Sequence, residues 1–175
     1  RDRSVSRGLG DVYKRQVRRD KMVPKFRAYD TKNKVMVTNF HRSHMKIETG
    51  KVLYQLTTTN ENEIKAIASY NTFDDYIYRY SHDLELMQST GYKDKNGVEI
   101  FEGDLVKVSV DNGFDYLFEE LSIVKPSKFH SGLVCSLKSH EAEYRIIHAE
   151  ILGYEYEVVG NIYENPELLV QANEN

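Results

Sequence analysis

The stretch from Leu86 to Val108 does most to commit this chain to antiparallel β structure. It reads as a strand, a tight turn at Lys95-Asn96-Gly97, a short connector and a second strand. Asn-Gly tolerates positive φ in a two-residue hairpin turn. Glu102-Gly103-Asp104 is a second turn, and it launches the alternating run Leu105-Val106-Lys107-Val108-Ser109-Val110. No catalytic constellation sits in the stretch.

The remainder follows the same pattern. Residues 22–40 read as a hairpin, with Asp30-Thr31-Lys32-Asn33-Lys34 as its polar turn. Met45-Lys46-Ile47 and Val52-Leu53-Tyr54 read as a second pair around Glu48-Thr49-Gly50-Lys51. Thr57 to Asn60 offer helix N-caps. Ile64, Ile67 and Ala68 then fall at helical spacing, which predicts a short helix over 61–70. Phe114 to Phe118 fits a strand or a helical turn. Ser122 to Val124, Gly132 to Leu137, Glu143 to Ala149 and Ile151 to Gly160 read as strands, and Glu167 to Gln171 as one helical turn. Turn signals recur at about the 8–12-residue spacing of a barrel or sandwich. The fold class expected is mainly β: a small barrel, an N-terminal β-rich part and one or two short helices.

Three blocks carry a family resemblance: Lys25-Phe26-Arg27-Ala28-Tyr29-Asp30, the central stretch above, and Val158-Val159-Gly160-Asn161-Ile162-Tyr163-Glu164-Asn165-Pro166-Glu167-Leu168-Leu169. Their order and spacing resemble the YopX family of small phage and prophage proteins, which usually has Trp where this chain has Tyr29. The resemblance spans about residues 22 to 170 and leaves residues 40 to 80 without a counterpart. It implies an SH3-like barrel over 86–170, preceded by a β-rich part over 22–85 and followed by a tail at 171–175. It also implies frequent oligomers, a phage setting in the cytoplasm of the infected bacterial host, and no established reaction.

At 40% hydrophobic and 29% charged residues, composition is that of an ordinary soluble domain. No apolar run approaches the roughly 20 residues of a membrane helix. A single cysteine, Cys135, excludes an internal disulfide framework and fits a reducing cytoplasm. The first 21 residues differ from the rest. They hold eight basic residues and three acids, and their few apolar residues have no period. Such an arm can bind nucleic acid. The other reading is translated adapter sequence around Gly10 to Gln16, with Met22 as the start. Without the arm, 16 of the 24 basic and 24 of the 27 acidic residues remain, a net charge of −8. That balance opposes polymeric DNA or RNA as the main partner, because such binding comes from neutralising phosphates. A small phosphate-bearing ligand needs only a local pocket with two or three donors.

The chemistry-bearing side chains form no familiar catalytic or metal set. His41 and His44 are close but lack further ligands at metal spacing. Cys135 lies in an apolar strand and reads as a small buried hydrophobe. Asp74-Asp75 and Glu119-Glu120 read as solvated acids. Asp94, Asn96, Glu102 and Asp104 read as turn formers. Neither a phosphate-cradling glycine loop nor a nucleophile elbow occurs. No metal and no cofactor is expected.

Tyrosine is in excess: 13, with 7 Phe and no Trp. Tyr76, Tyr78, Arg79 and Tyr80 form the densest group, followed by Tyr154, Tyr156 and Tyr163. The rings could fill a core or an oligomer interface. They could also stack a purine while arginines contact phosphate. On the second reading the ligand-binding candidates are Arg27, Tyr29, Tyr78, Arg79, Gln88 and Thr90. Tyr29 and Tyr78 would stack, Arg27 and Arg79 hold phosphate, and Gln88 and Thr90 read polar groups. Gln88 and Thr90 could equally bond their own turn backbone.

Two functions from different classes fit. One is a non-catalytic homo-oligomer that sequesters a small nucleotide signal of host anti-phage immunity, such as a cyclic ADP-ribose derivative or a cyclic dinucleotide. The other is a protein–protein interaction module without a small ligand. A nucleotide-cleaving enzyme would need His82 or His148 as acid or base, and the sequence shows a partner for neither.

Overall fold

A turn with a buried carboxylate organises the centre of the chain. In the computed structural model, which describes residues 24–40, 44–47, 50–71, 80–139, 142–147 and 153–171, strand β7 (Glu85–Lys93) returns as β8 (Glu99–Phe101). Gly97 takes a φ of 81° while Asn96 stays at negative φ, so the connection is not the expected two-residue Asn-Gly turn. Asp94 holds it instead. Its Oδ1 accepts from the N–H groups of Asn96 and Val98, both at 2.8 Å, and its Oδ2 accepts from Val158 N at 3.0 Å. A short polar side chain that satisfies its own turn backbone outweighs the dipeptide preference.

The N-terminal hairpin forms as expected, from β1 (Phe26–Asp30) and β2 (Val35–Val37). The second pair is β3 (His44–Ile47) and β4 (Gly50–Thr58). The helix predicted over 61–70 is absent. Those residues form a turn and β5 (Ile64–Asn71), which pairs with β4 from Lys51↔Asn71 to Thr58↔Ile64. Ala66, Ala68 and Tyr70 are buried at period two, and cross-strand pairing overrides the weak helical spacing. The cap signal was real but serves the hairpin: Thr59 Oγ1 accepts from Glu61 and Glu63 N–H, and Asn62 reverses the chain at φ 63°. Strand β6 (Tyr80–Asp83) completes a four-stranded sheet in the order β3-β4-β5-β6.

A second sheet, β2-β1-β7-β8, takes β1 and β7 from opposite sides of the expected boundary at residue 85. The third contains β9 (Asp104–Asp111), β10 (Tyr116–Pro126), β11 (Leu133–Leu137), β12 (Glu143–Arg145) and β13 (Tyr154–Asn161). Its order is β12-β11-β10-β9-β13, antiparallel throughout, and it curls into a half-barrel. Phe114 to Phe118 resolves as the hairpin loop and start of β10, with a bulge between Leu117 and Glu120 where Glu119 takes a φ of 49°. The short helix α1 (Glu167–Gln171) matches its sequence reading. The mainly β class expected from the sequence holds.

Two cores result. Ala28, Val37, Phe40, Val52, Tyr54, Ala66, Ala68, Tyr70 and Leu84 fill the first. Ile100, Val106, Val108, Val110, Val124, Cys135, Ile146 and Tyr156 fill the second. Strand β1 serves both sides: Ala28 joins the first core, while alternate residues Arg27 and Tyr29 face the other way, toward Asp104 and Tyr163.

Candidate functional site

Among the sequence candidates, Arg27, Tyr29 and Thr90 are built into the packing. The Arg27 guanidinium pairs with Asp104 and lies 4.7 Å from the Phe101 ring centroid. Asp104 also accepts from Phe101 N–H at 2.8 Å. Burial pushes the Asp104 carboxyl above its ordinary value, with Arg27 and the Phe101 amide acting against that shift. Tyr29 stacks on Tyr163 at 5.2 Å and 17°. Thr90 Oγ1 donates to the Ile100 carbonyl at 2.9 Å and accepts from Tyr92 N–H, the turn-bonding alternative read from the sequence. Gln88 has an exposed side chain, and its backbone carbonyl accepts from Glu102 N–H. Tyr78 and Arg79 lie outside the described residues. So do Asp74-Asp75, His41 and His148.

The structure gives His82 the partner that the sequence did not. Its Nε2–H donates to Asp30 Oδ1 at 3.0 Å, and its ring stacks on Tyr70 at 5.4 Å. Asp30 is fully buried and also accepts from Tyr54 OH at 3.1 Å and from Asn33 Nδ2 at 2.6 Å. Burial raises the Asp30 carboxyl, but the bonds from Asn33, His82 and Tyr54 together outweigh it and hold the group below the ordinary range. Burial and the Asp30 charge in turn push the Tyr54 phenol well up. His82 Nδ1 is sealed from solvent without a partner. Asp30 and His82 tie β1 to β6, with the Asp30 carboxylate fully buried and the His82 side chain 11% exposed.

A different surface gathers chemistry suited to an anion. Antiparallel partners share a sheet face. Lys125, Val134 and Arg145 therefore form one cross-strand row on β10, β11 and β12, and Ile123, Ser136 and Glu143 the next. This is the outer face; Val124 and Cys135 point into the core. The β10–β11 loop, residues 127–132, folds back over it. Glu143 clamps the loop by accepting from Ser127 Oγ at 2.5 Å and from Lys128 N–H at 3.1 Å. The Ser127 hydroxyl chiefly holds the Glu143 carboxyl below its usual range, with smaller help from the Lys125 and Lys128 charges.

Between loop and sheet lies a cleft of about 330 Å³, lined by Lys125, Lys128 and Lys138 together with Ser136, Phe129 and Glu143. None of these three ammonium groups is in an ion pair among the described residues. By contrast, Lys107 on the same sheet pairs with Glu119, and Lys95 in the β7–β8 turn pairs with Glu155 and Glu157. Phe129 is 74% exposed. A second cleft, of about 370 Å³, opens on the other side of the loop, lined by His130, Ser131 and Arg145. The arrangement can hold anions with a planar group alongside. Sequence reasoning assigned no role to residues 125–131, between the strands read at Ser122 to Val124 and Gly132 to Leu137. The signal was Lys125-Pro126-Ser127-Lys128-Phe129-His130, a basic and aromatic cluster on an acidic chain. Among the described residues no three His, Cys, Asp or Glu side chains form a metal-ligand set, and no helix is long and apolar enough to cross a membrane.

Protein EF1440 from Enterococcus faecalis, known from a crystal structure, is similar at 30% identity, with 85% of this chain and 99% of that one covered and a TM-score of 0.47. Protein yopX from Bacillus subtilis is similar at 18% identity, covering 82% of this chain and 95% of its own, with a TM-score of 0.45. No curated protein matches. The family described as YopX protein matches residues 25–170, which contain all three sequence blocks quoted above. On that match the chain belongs to the YopX family.

Proposed function

We propose that this protein captures a small phosphate-bearing nucleotide without turning it over, and that capture serves to sequester a nucleotide signal of host immunity. The observation that carries the reading is one cleft lined by Lys125, Lys128 and Lys138, none of them in an ion pair among the described residues, in a chain whose residues 22–175 carry net −8. Three cationic groups against one carboxylate, on an acidic chain, favour an anion small enough to fit locally. Phe129 supplies an exposed ring for a base. Binding without turnover is supported by Glu143. It is the acid lining this cleft, and its hydrogen bonds to Ser127 and Lys128 already occupy it. The setting would be the infected bacterial cytoplasm, with copies of the chain assembled as a homo-oligomer.

The test is thermal or chemical unfolding with and without candidate nucleotides. A ligand at 100 times its Kd adds about 2.7 kcal/mol of apparent stability. If no purine nucleotide or cyclic derivative shifts the transition, the reading fails. A protein–protein module then takes its place, and one observation favours that reading: Phe114, Tyr116 and Phe118 stand exposed on the β9–β10 hairpin.

A further inference from the structure

The lysine cleft is not the only cationic feature beside the 127–132 loop. On its other side, Arg145 Nη2 donates to His130 Nδ1 at 3.2 Å, in the second cleft. One N–H of the guanidinium is used there, and Arg carries five. Arg145 is exposed and is in no ion pair among the described residues. Lys125 and Arg145 occupy the same cross-strand row with Val134 between them, so their backbones are two strand spacings apart, about 10 Å. The loop lies between the two clefts and carries Phe129 toward the lysine side.

We infer that the ligand carries two separated phosphate groups, one held by Lys125, Lys128 and Lys138 and the other by Arg145 with His130. This rests on the nucleotide reading above and narrows it. A single phosphate, or two adjacent phosphates joined through one oxygen, fills only the lysine cleft. Two phosphodiesters held apart by nucleosides, as in a cyclic dinucleotide, can occupy both while a base lies on Phe129. The ADP-ribose class, with its adjacent phosphates, is the poorer fit.

Arg145 suits a selective test. Its side chain does not hold the sheet together: its backbone carbonyl accepts from Tyr156 OH, and Val134 faces it across the strands. Titration calorimetry on the full chain compares AMP, ADP and cyclic di-AMP, with wild type, Arg145→Ala and Lys125→Ala. Unfolding of each free variant serves as the control for fold. Cyclic di-AMP is expected to bind wild type at least tenfold tighter than AMP or ADP. Arg145→Ala is expected to lose about 10- to 100-fold for cyclic di-AMP, the size of a charge-assisted contact, and to leave AMP and ADP unchanged. Lys125→Ala weakens all three. Equal affinity of wild type for the three ligands, or an Arg145→Ala loss shared by all of them, overturns the two-phosphate inference while leaving nucleotide capture intact. Absence of any binding removes both. Should Arg145→Ala unfold, Arg145→Gln keeps the bulk and the comparison.

Discussion

Arg27 and Asp104, 77 residues apart, form a buried ion pair between β1 and β9. Their side chains are 13% and 1% exposed. The pair joins the sheet that contains the N-terminal hairpin to the half-barrel, and the Phe101 ring covers the guanidinium.

Arg27→Ala leaves the Asp104 carboxylate sealed and unpaired, which costs about 3–5 kcal/mol. The urea midpoint is expected to fall accordingly, while the folded fraction keeps its nucleotide affinity. A variant that unfolds like wild type but binds nucleotide poorly would return Arg27 to the ligand site.

Acid stability follows from Asp30. Its folded pKa is depressed, so its contribution is present above the unfolded value near 3.9 and is lost as pH falls through the lowered folded value. Asp104 has the opposite sign. Its folded value is raised, so it weakens the fold as pH climbs from about 3.9 through that value. Between pH 6 and pH 3, wild type is expected to lose more stability than Asp30→Asn, measured by urea unfolding at each pH. Parallel losses would remove Asp30 as the cause.

Phe129 projects from the loop and contributes little to packing. Phe129→Ala is expected to weaken nucleotide binding about 5- to 100-fold, the size of one stacked base. Stability of the free protein should stay within about 0.5 kcal/mol. Calorimetry and a melt on the same sample separate the two effects.

Cys135 is fully buried, and that burial pushes its thiol up to about 12. Iodoacetamide at pH 8 is expected to leave it untouched in native protein and to label it completely in urea, read by intact mass. Fast native labelling would mean that β11 opens readily.

Gly153 and Gly97 both sit at positive φ, yet substitution should separate them. A Cβ at Gly97 meets open space, so Gly97→Ala costs only the backbone term of about 1–2 kcal/mol. At Gly153 it would collide with the Asp111 carbonyl, whose residue also donates its N–H to Gly153 O. Gly153→Ala is expected to cost distinctly more in the same unfolding assay.

Hairpins were legible wherever polar turns separated runs of period two, as around Asp30 to Lys34 and from Leu105 to Val110. The strand at 64–71 was misread because Ala66 and Ala68 carry little hydrophobic signal, and only pairing with β4 reveals their face. The partners of Arg27, His82 and Tyr29 are set by strand order, which no local spacing encodes. The lysine cleft was hidden for the same reason. Lys125 and Lys138 come to line one cleft only when β11 folds back on β10, and Glu143 becomes the loop's anchor only when β12 joins them.

The pairing of β1 with β7 also bears on how the chain is made. During synthesis the first hairpin leaves the ribosome about sixty residues before its neighbour, with one strand edge open and Arg27 without its carboxylate. The local pairs β3–β4 and β4–β5 can close meanwhile, because their loops are short. Closure of the first hairpin onto β7 is therefore a late, non-local event. Until it happens, the open edge is the part of the nascent chain most exposed to mispairing with another copy.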